Sequence, residues 1–228
     1  MEVIYEDNSI IVVSKPQNVP SQEDATKDKD MLTMVKEYVK EKYNKPGNVF
    51  IGLVHRLDRP TGGVMVFARN SKSAARLSEQ IKNGDFEKTY FAVTSGIPSI
   101  DHSRITTYLK KDEKNNIVRI VPMSEEGAKR AELEYTVLEK HDGKALLMVK
   151  LFTGRGHQIR VQLSSIKCPI VGDQKYDKNA EKANLHLFAV ELKFNHPISG
   201  ERMVFRVYPP EQKAYWNEFN LEKHLNLK

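Results

Sequence analysis

The chain has 228 residues, a formal net charge of +6, a pI near 9.2 and a mean hydropathy of -0.54, so it is long enough for a full core and too polar for a membrane-spanning protein. Its one cysteine, Cys168, excludes an internal disulfide and a cysteine-rich zinc site. No apolar run approaches a bilayer span, and Met1 to Asp7 lacks a basic segment followed by an apolar one, so a cytoplasmic protein without a signal peptide is expected.

Residues 3–5 and 10–13 read as a hairpin around Glu6-Asp7-Asn8-Ser9. Ser14-Lys15-Pro16 ends its second strand, because proline cannot continue a central ladder. Residues 21–30 are polar and alternate in charge, which predicts an exposed loop. Met31, Leu32, Val35, Tyr38 and Val39 fall at helical spacing, and Lys45-Pro46-Gly47-Asn48 stops that helix. Strand-like runs over 50–54 and 64–68 flank the charged segment His55-Arg56-Leu57-Asp58-Arg59 and the turn Thr61-Gly62-Gly63. Ser71 is expected to cap a helix running to about residue 82, with Gly84 just past its end.

Residues 90–94 read as a strand, and the pattern from 105 to 149 is mostly β. His141-Asp142-Gly143-Lys144 is expected to be a hairpin turn. Gly154-Arg155-Gly156 precedes a short helix over about 157–165. Strands over 185–194 and 203–208 follow, then a terminal helix carrying Tyr215, Trp216 and Phe219. With strands outnumbering helices and hairpins dominating the connections, the fold class is α+β, one large mainly antiparallel sheet flanked by helices. No repeat or linker divides the chain, so one domain over 1–228 is expected.

Asp58 is the residue that most invites a chemical reading. A carboxylate between two arginines, wedged between two buried runs, is either an ion-paired loop or a catalytic group kept ionised by cations. On spacing alone the ion pair, with Arg56 or Arg59, is the commoner case. Tyr90 alone reads as a core strand tyrosine with its hydroxyl at the rim, and Arg160 alone as a solvated helix residue. His55, His102, His157 and His186 have no ligand spacing, so no metal is expected. No Gly-x-Gly-x-x-Gly follows a strand, so no nucleotide cofactor is expected either. The cationic surplus fits a polyanion partner without establishing one.

Four motifs in order do more. Lys15-Pro16, His55-Arg56-Leu57-Asp58 with Thr61-Gly62-Gly63, Lys88-Thr89-Tyr90, and Arg155-Gly156-His157-Gln158-Ile159-Arg160 resemble the pseudouridine synthases, in particular the RluA-type branch. Gly172-Asp173-Gln174-Lys175-Tyr176, Leu185-His186 and His196-Pro197 match weaker signatures of that family. The resemblance covers nearly the whole chain. It implies the pseudouridine synthase fold and an isomerase that converts uridine in ribosomal or transfer RNA to pseudouridine without a cofactor.

By the same resemblance Asp58 is the essential carboxylate, Arg160 its partner and Tyr90 the active-site tyrosine, whose ring stacks on the target base. Arg56 fills the space left by a flipped nucleotide, Arg155, His157 and Gln158 contact RNA, and Leu185 or Leu187 floors the base pocket. Where the family usually has serine, this chain has Gly62, which removes a hydroxyl from the loop. The short stretch before Lys15-Pro16 implies a catalytic fold without an S4 RNA-binding domain, in which the catalytic domain grips RNA by itself; a monomer is expected. The alternative is a non-catalytic RNA-binding or ribosome-assembly protein on the same fold, which would have no need to retain Asp58.

Overall fold

The computed structural model describes residues 1–210 and 215–225. In chain order the elements are Glu2–Glu6 (β1), Ile10–Lys15 (β2), Met31–Lys42 (α1), Gly52–Leu53 (β3), Gly62–Ala68 (β4), Ser71–Asn83 (α2), Glu87–Ser95 (β5) and His102–Asp112 (β6). They continue with Ile117–Val121 (β7), Lys129–His141 (β8), Lys144–Leu151 (β9), Gln158–Ser165 (α3), Leu187–Asn195 (β10), Arg202–Arg206 (β11) and Leu221–Leu225 (α4). The fold is α+β on mainly antiparallel sheet, as the sequence predicts. No helix among the described residues is long and apolar enough to cross a membrane.

The chain divides into two compact units, Met1–Glu87 with Glu191–Val207, and Lys88–Val190 with Tyr208–Lys228. In the first, β2 pairs antiparallel with β1 on one side and β4 on the other, and β11 pairs with β10. The β2–β4 register sets Ile11 opposite Phe67, Val13 opposite Met65 and Lys15 opposite Gly63. Both strands are buried along almost their whole length, which is why their apolar residues run continuously instead of alternating. Ile10, Val12, Val64, Val66, Leu77, Phe86, Phe194 and Phe205 belong to one apolar cluster.

Three expectations shift in this unit. The cap of α2 is Asn70, not Ser71: the Asn70 side chain accepts the Ser73 N–H at 2.8 Å, while Gly84 closes the helix at φ 87°. The loop over 21–30 is exposed only in its middle. Ser21 and Asp30 are both 5% exposed, and Asp30 caps α1 by accepting the Thr33 N–H at 3.0 Å. Finally, the strand predicted over 50–54 shrinks to Gly52–Leu53. The next N–H along β4, that of Val66, goes to the His55 ring at Nε2, 3.1 Å away, so a side chain takes the ladder position β3 would have filled.

In the second unit β5 pairs with β9, β9 with β8, β8 with β6, and β6 with β7, all antiparallel. The β8–β9 turn is the two-residue Asp142-Gly143, with φ of 42° and 73°, the left-handed pair that matches strand twist. Gln162 ties α3 to the sheet, its Nε2 donating to the Thr107 hydroxyl at 2.9 Å and to the Ala131 carbonyl at 3.2 Å. The predicted terminal helix is displaced. Tyr215 sits at φ 74°, Trp216–Glu218 form a single 3-10 turn, and α4 begins only at Leu221. Residues 211–214 lie outside the described residues.

Candidate active site

Asp58 ends a sharp loop whose backbone is tied from three directions. Its own carbonyl accepts the Thr61 N–H at 2.9 Å, closing the turn through Arg59 and Pro60. Ser21 brackets the preceding residue, its hydroxyl donating to the Leu57 carbonyl at 2.7 Å and accepting the Leu57 N–H at 3.1 Å. Gln17 donates to the Pro60 carbonyl at 3.2 Å. Gly63, the second residue of β4, sits at φ 127°, a backbone conformation that favours glycine.

Beneath the loop lies Lys15, with 0% of its surface exposed. Its Nζ donates to the carbonyls of Pro16 at 3.0 Å, Val19 at 2.6 Å and Arg59 at 3.1 Å. Three acceptors match the three N–H groups of an ammonium, and one of them belongs to the residue after Asp58. Burial pushes the Lys15 ammonium down to about 7; the Asp58 carboxylate opposes that shift and the Arg59 cation adds to it. Lys15 thus holds the aspartate's loop by hydrogen bonds, and below about pH 7 also by its charge. The sequence placed it in a motif without assigning it this work.

Of the two arginines flanking Asp58, Arg59 is engaged with another loop. Arg59 engages the 24–28 loop, donating to the Thr26 hydroxyl at 2.8 Å and pairing with Asp28 and, at 3.7 Å, with Asp24. Arg56 is exposed, and Leu57 between them is buried. The ion-paired reading therefore finds Arg59 fastened to a different loop.

In the second unit Arg160 is 6% exposed and forms a two-point fork with Asp173, itself 1% exposed: Nε to Oδ2 at 2.8 Å and Nη2 to Oδ1 at 2.6 Å. Asp173 also accepts the backbone N–H of Lys175 at 3.2 Å and of Tyr176 at 3.3 Å. The Tyr176 ring lies 5.1 Å from the guanidinium, and its hydroxyl shares a 2.6 Å hydrogen bond with His157 Nδ1. The solvated-helix reading of Arg160 is corrected, since a buried cation gripped in two places is held in one orientation.

Gly172 makes this arrangement possible. It sits at φ 78°, and a Cβ there would fall 2.3 Å from the Asn184 carbonyl oxygen. Sequence reasoning gave Asp173 no role. The signal was available: an acid next to the apolar run Pro169-Ile170-Val171 is buried unless the chain leaves the core at once, and a buried acid requires a cation.

His157 begins α3 at φ 53°, a conformation uncommon for a residue with a side chain. Gln158 is 2% exposed and its Oε1 accepts the Thr153 hydroxyl at 2.8 Å and the Arg155 N–H at 3.1 Å. It shapes the loop from inside. Arg155 is exposed, with Nε on the Arg130 carbonyl at 3.0 Å. Tyr90 lies on β5 opposite Val149 and is 5% exposed. Burial also pushes the Lys88 ammonium below its ordinary value.

Leu185 and Leu187, two residues apart, are 4% and 3% exposed. His186 between them packs against the rings of Tyr215 and Trp216 at 5.3 and 5.2 Å.

Residues 9–165 match the family model described as RNA pseudouridylate synthase. The chain belongs to the RNA pseudouridine synthase family. It is an enzyme whose reaction converts uridine in RNA to pseudouridine, and the RluA-type branch read from the motif order stands. Among its relatives, an uncharacterized RNA pseudouridine synthase of Aquifex aeolicus is 35% identical, over 92% of this chain and 70% of its own length. One from Helicobacter pylori is 31% identical, over 91% and 66%. The ribosomal large subunit pseudouridine synthase D of Borreliella burgdorferi is 29% identical, over 99% and 70%. This pseudouridine synthase therefore spans roughly two thirds of the length of these curated relatives. The solved structure of human RNA pseudouridylate synthase domain containing 4 shares the fold, with a TM-score of 0.76 at 23% identity, over 92% of this chain and 88% of that one.

Proposed function

We propose that Asp58 is the carboxylate that drives the isomerisation of a flipped-out uridine. The reaction detaches the base from C1′, turns it and rejoins it through C5. The C5 proton leaves to water and N1 gains one, so nothing is oxidised or reduced and no cofactor is called on. An aspartate serves by attacking the sugar or the base, or by removing a sugar proton to give a glycal. The observation that carries this reading is the fastening of the Asp58 loop, with Ser21 on both backbone groups of Leu57 and Lys15 on the Arg59 carbonyl. Three-way anchoring of a partly buried acid fits a group whose position matters.

Arg160 serves the same reaction as a permanent cation, and the Asp173 fork fixes its guanidinium's plane. Tyr90 stacks on the target base, Leu185 or Leu187 floors it, and exposed Arg56 occupies the gap that the base leaves. Arg155 and His157 meet the RNA backbone. The substrate is a stem-loop of ribosomal RNA, by analogy with the large-subunit relatives, or of transfer RNA. The two units serve one catalytic domain over residues 1–228, as a cytoplasmic monomer.

The test is release of tritium from transcripts labelled at uridine C5. Release from a large-subunit ribosomal transcript supports the reading. RNA binding without release from any transcript leaves only the non-catalytic alternative.

A further inference from the structure

On the second unit a cluster of charged and aromatic residues stands beside the start of α3, and apart from Arg155 its members have no part in the roles above. Its centre is Glu132, 5% exposed, on β8. Arg104 from β6 pairs with one of its oxygens, and Arg130, two residues back on β8, pairs with the other at 2.7 Å. Both guanidinium-bearing side chains are more than half exposed, at 53% and 56%. The Arg104 guanidinium lies 4.2 Å from the centre of the Phe152 ring, and Phe152 is 49% exposed.

Backbone bonds make the cluster one piece. The Phe152 N–H donates to the Glu132 carbonyl at 3.1 Å, and the Glu132 N–H to the Thr153 hydroxyl at 2.8 Å. Arg155 Nε reaches the Arg130 carbonyl at 3.0 Å. Three arginines against one glutamate leave a surplus of two positive charges.

An isolated surface ion pair is worth little and leaves its arginine mobile. Here a nearly buried carboxylate holds two arginines at once, because a buried acid is stable only when paired. Each of the two meets Glu132 as an ion pair through a single terminal nitrogen, so most of the five donors of each fork remain for a ligand. The Arg104 guanidinium lies over the Phe152 ring, and about half of that side chain stays exposed beside it. Guanidinium forks bind phosphate oxygens in two places, and an exposed aromatic ring stacks on any unpaired base. The geometry points to Glu132, Arg104, Arg130, Phe152 and Arg155 forming a platform for a single-stranded nucleotide of the RNA substrate, its base on Phe152 and its phosphates on the arginines. This rests on RNA being the substrate, as proposed above.

The test is fluorescence-anisotropy binding of a labelled short oligouridylate and of a blunt RNA duplex, across a salt series. Phe152→Ala should weaken the oligouridylate about tenfold, within the range for loss of one base–aromatic stack, without changing the salt slope. It should leave duplex binding as it was, and Phe152→Trp should restore single-strand affinity. Arg104→Ala should weaken binding and lower the salt slope by about one. Phe152 is half exposed, so these substitutions keep the fold, and thermal melting checks that they do.

Wild-type affinity in Phe152→Ala overturns the platform, as does an equal loss on duplex and single strand. Tritium release by the wild type reports separately on catalysis. Release with a Phe152-indifferent grip removes the platform alone. A Phe152-dependent grip without release removes the isomerase reading alone.

Discussion

Replacing Lys15 by methionine tests how the aspartate's loop is held. Methionine fills nearly the same volume and removes only the charge and the three hydrogen bonds to Pro16, Val19 and Arg59. The direction with pH follows from linkage. Burial lowers the Lys15 value from 10.5 in an open chain to about 7 in the fold, so between those values the unfolded chain binds a proton that the folded one has lost. Wild-type stability therefore rises with pH through that window. The benefit is complete above about 10.5 and gone once pH falls below about 7. The full span is about 3.5 units, or about 5 kcal/mol, of which roughly 3 kcal/mol falls between about pH 6.5 and about pH 9.5.

Groups away from the loop contribute equally to both proteins, so the wild-type minus Lys15→Met difference reports on Lys15 and its coupling to Asp58 and Arg59. Urea unfolding followed by circular dichroism at several pH values gives that difference. It should grow by about 3 kcal/mol across the window. Parallel stability curves for the two proteins would refute the placement of a proton-losing lysine beneath the loop.

Asp173→Asn should cost about 3–5 kcal/mol of unfolding free energy, the usual result of stripping one partner from a buried pair, and denaturant melts measure it. Arg160→Met should abolish tritium release while leaving RNA affinity within a few-fold; turnover surviving in that variant would remove Arg160 from the chemistry. Gly172→Ala should destabilise by more than about 1 kcal/mol, because the backbone lies at φ 78° and the added carbon meets a carbonyl oxygen at 2.3 Å. A neutral result in thermal melting would mean that the 172–184 contact relaxes freely.

Local signals carried the fold well. The Asp142-Gly143 turn, the periodicity of α1 and the glycine after α2 were legible because each depends on residues close in sequence. The errors share one cause. Asn70 displaced Ser71 as a cap, and His55 cut β3 short, because a side chain competed for a backbone N–H that only the folded chain brings within reach. The Tyr215 backbone at φ 74° likewise broke a segment whose apolar spacing looked helical.

For the candidate site, the motifs marked Asp58, Tyr90 and Arg160. They did not show what holds them. Lys15 and Ser21 act on backbone groups 44 and 36 residues away, and Asp173 reaches Arg160 across a loop. Such partners are fixed by folded geometry, and a single sequence offers only the hint of a charge set in an apolar stretch.

The most direct measurement compares wild type with Asp58→Asn on one C5-tritiated RNA, recording binding and tritium release in the same samples. The account requires equal binding, with release by the wild type alone. Release by Asp58→Asn at a rate near the wild type would contradict it.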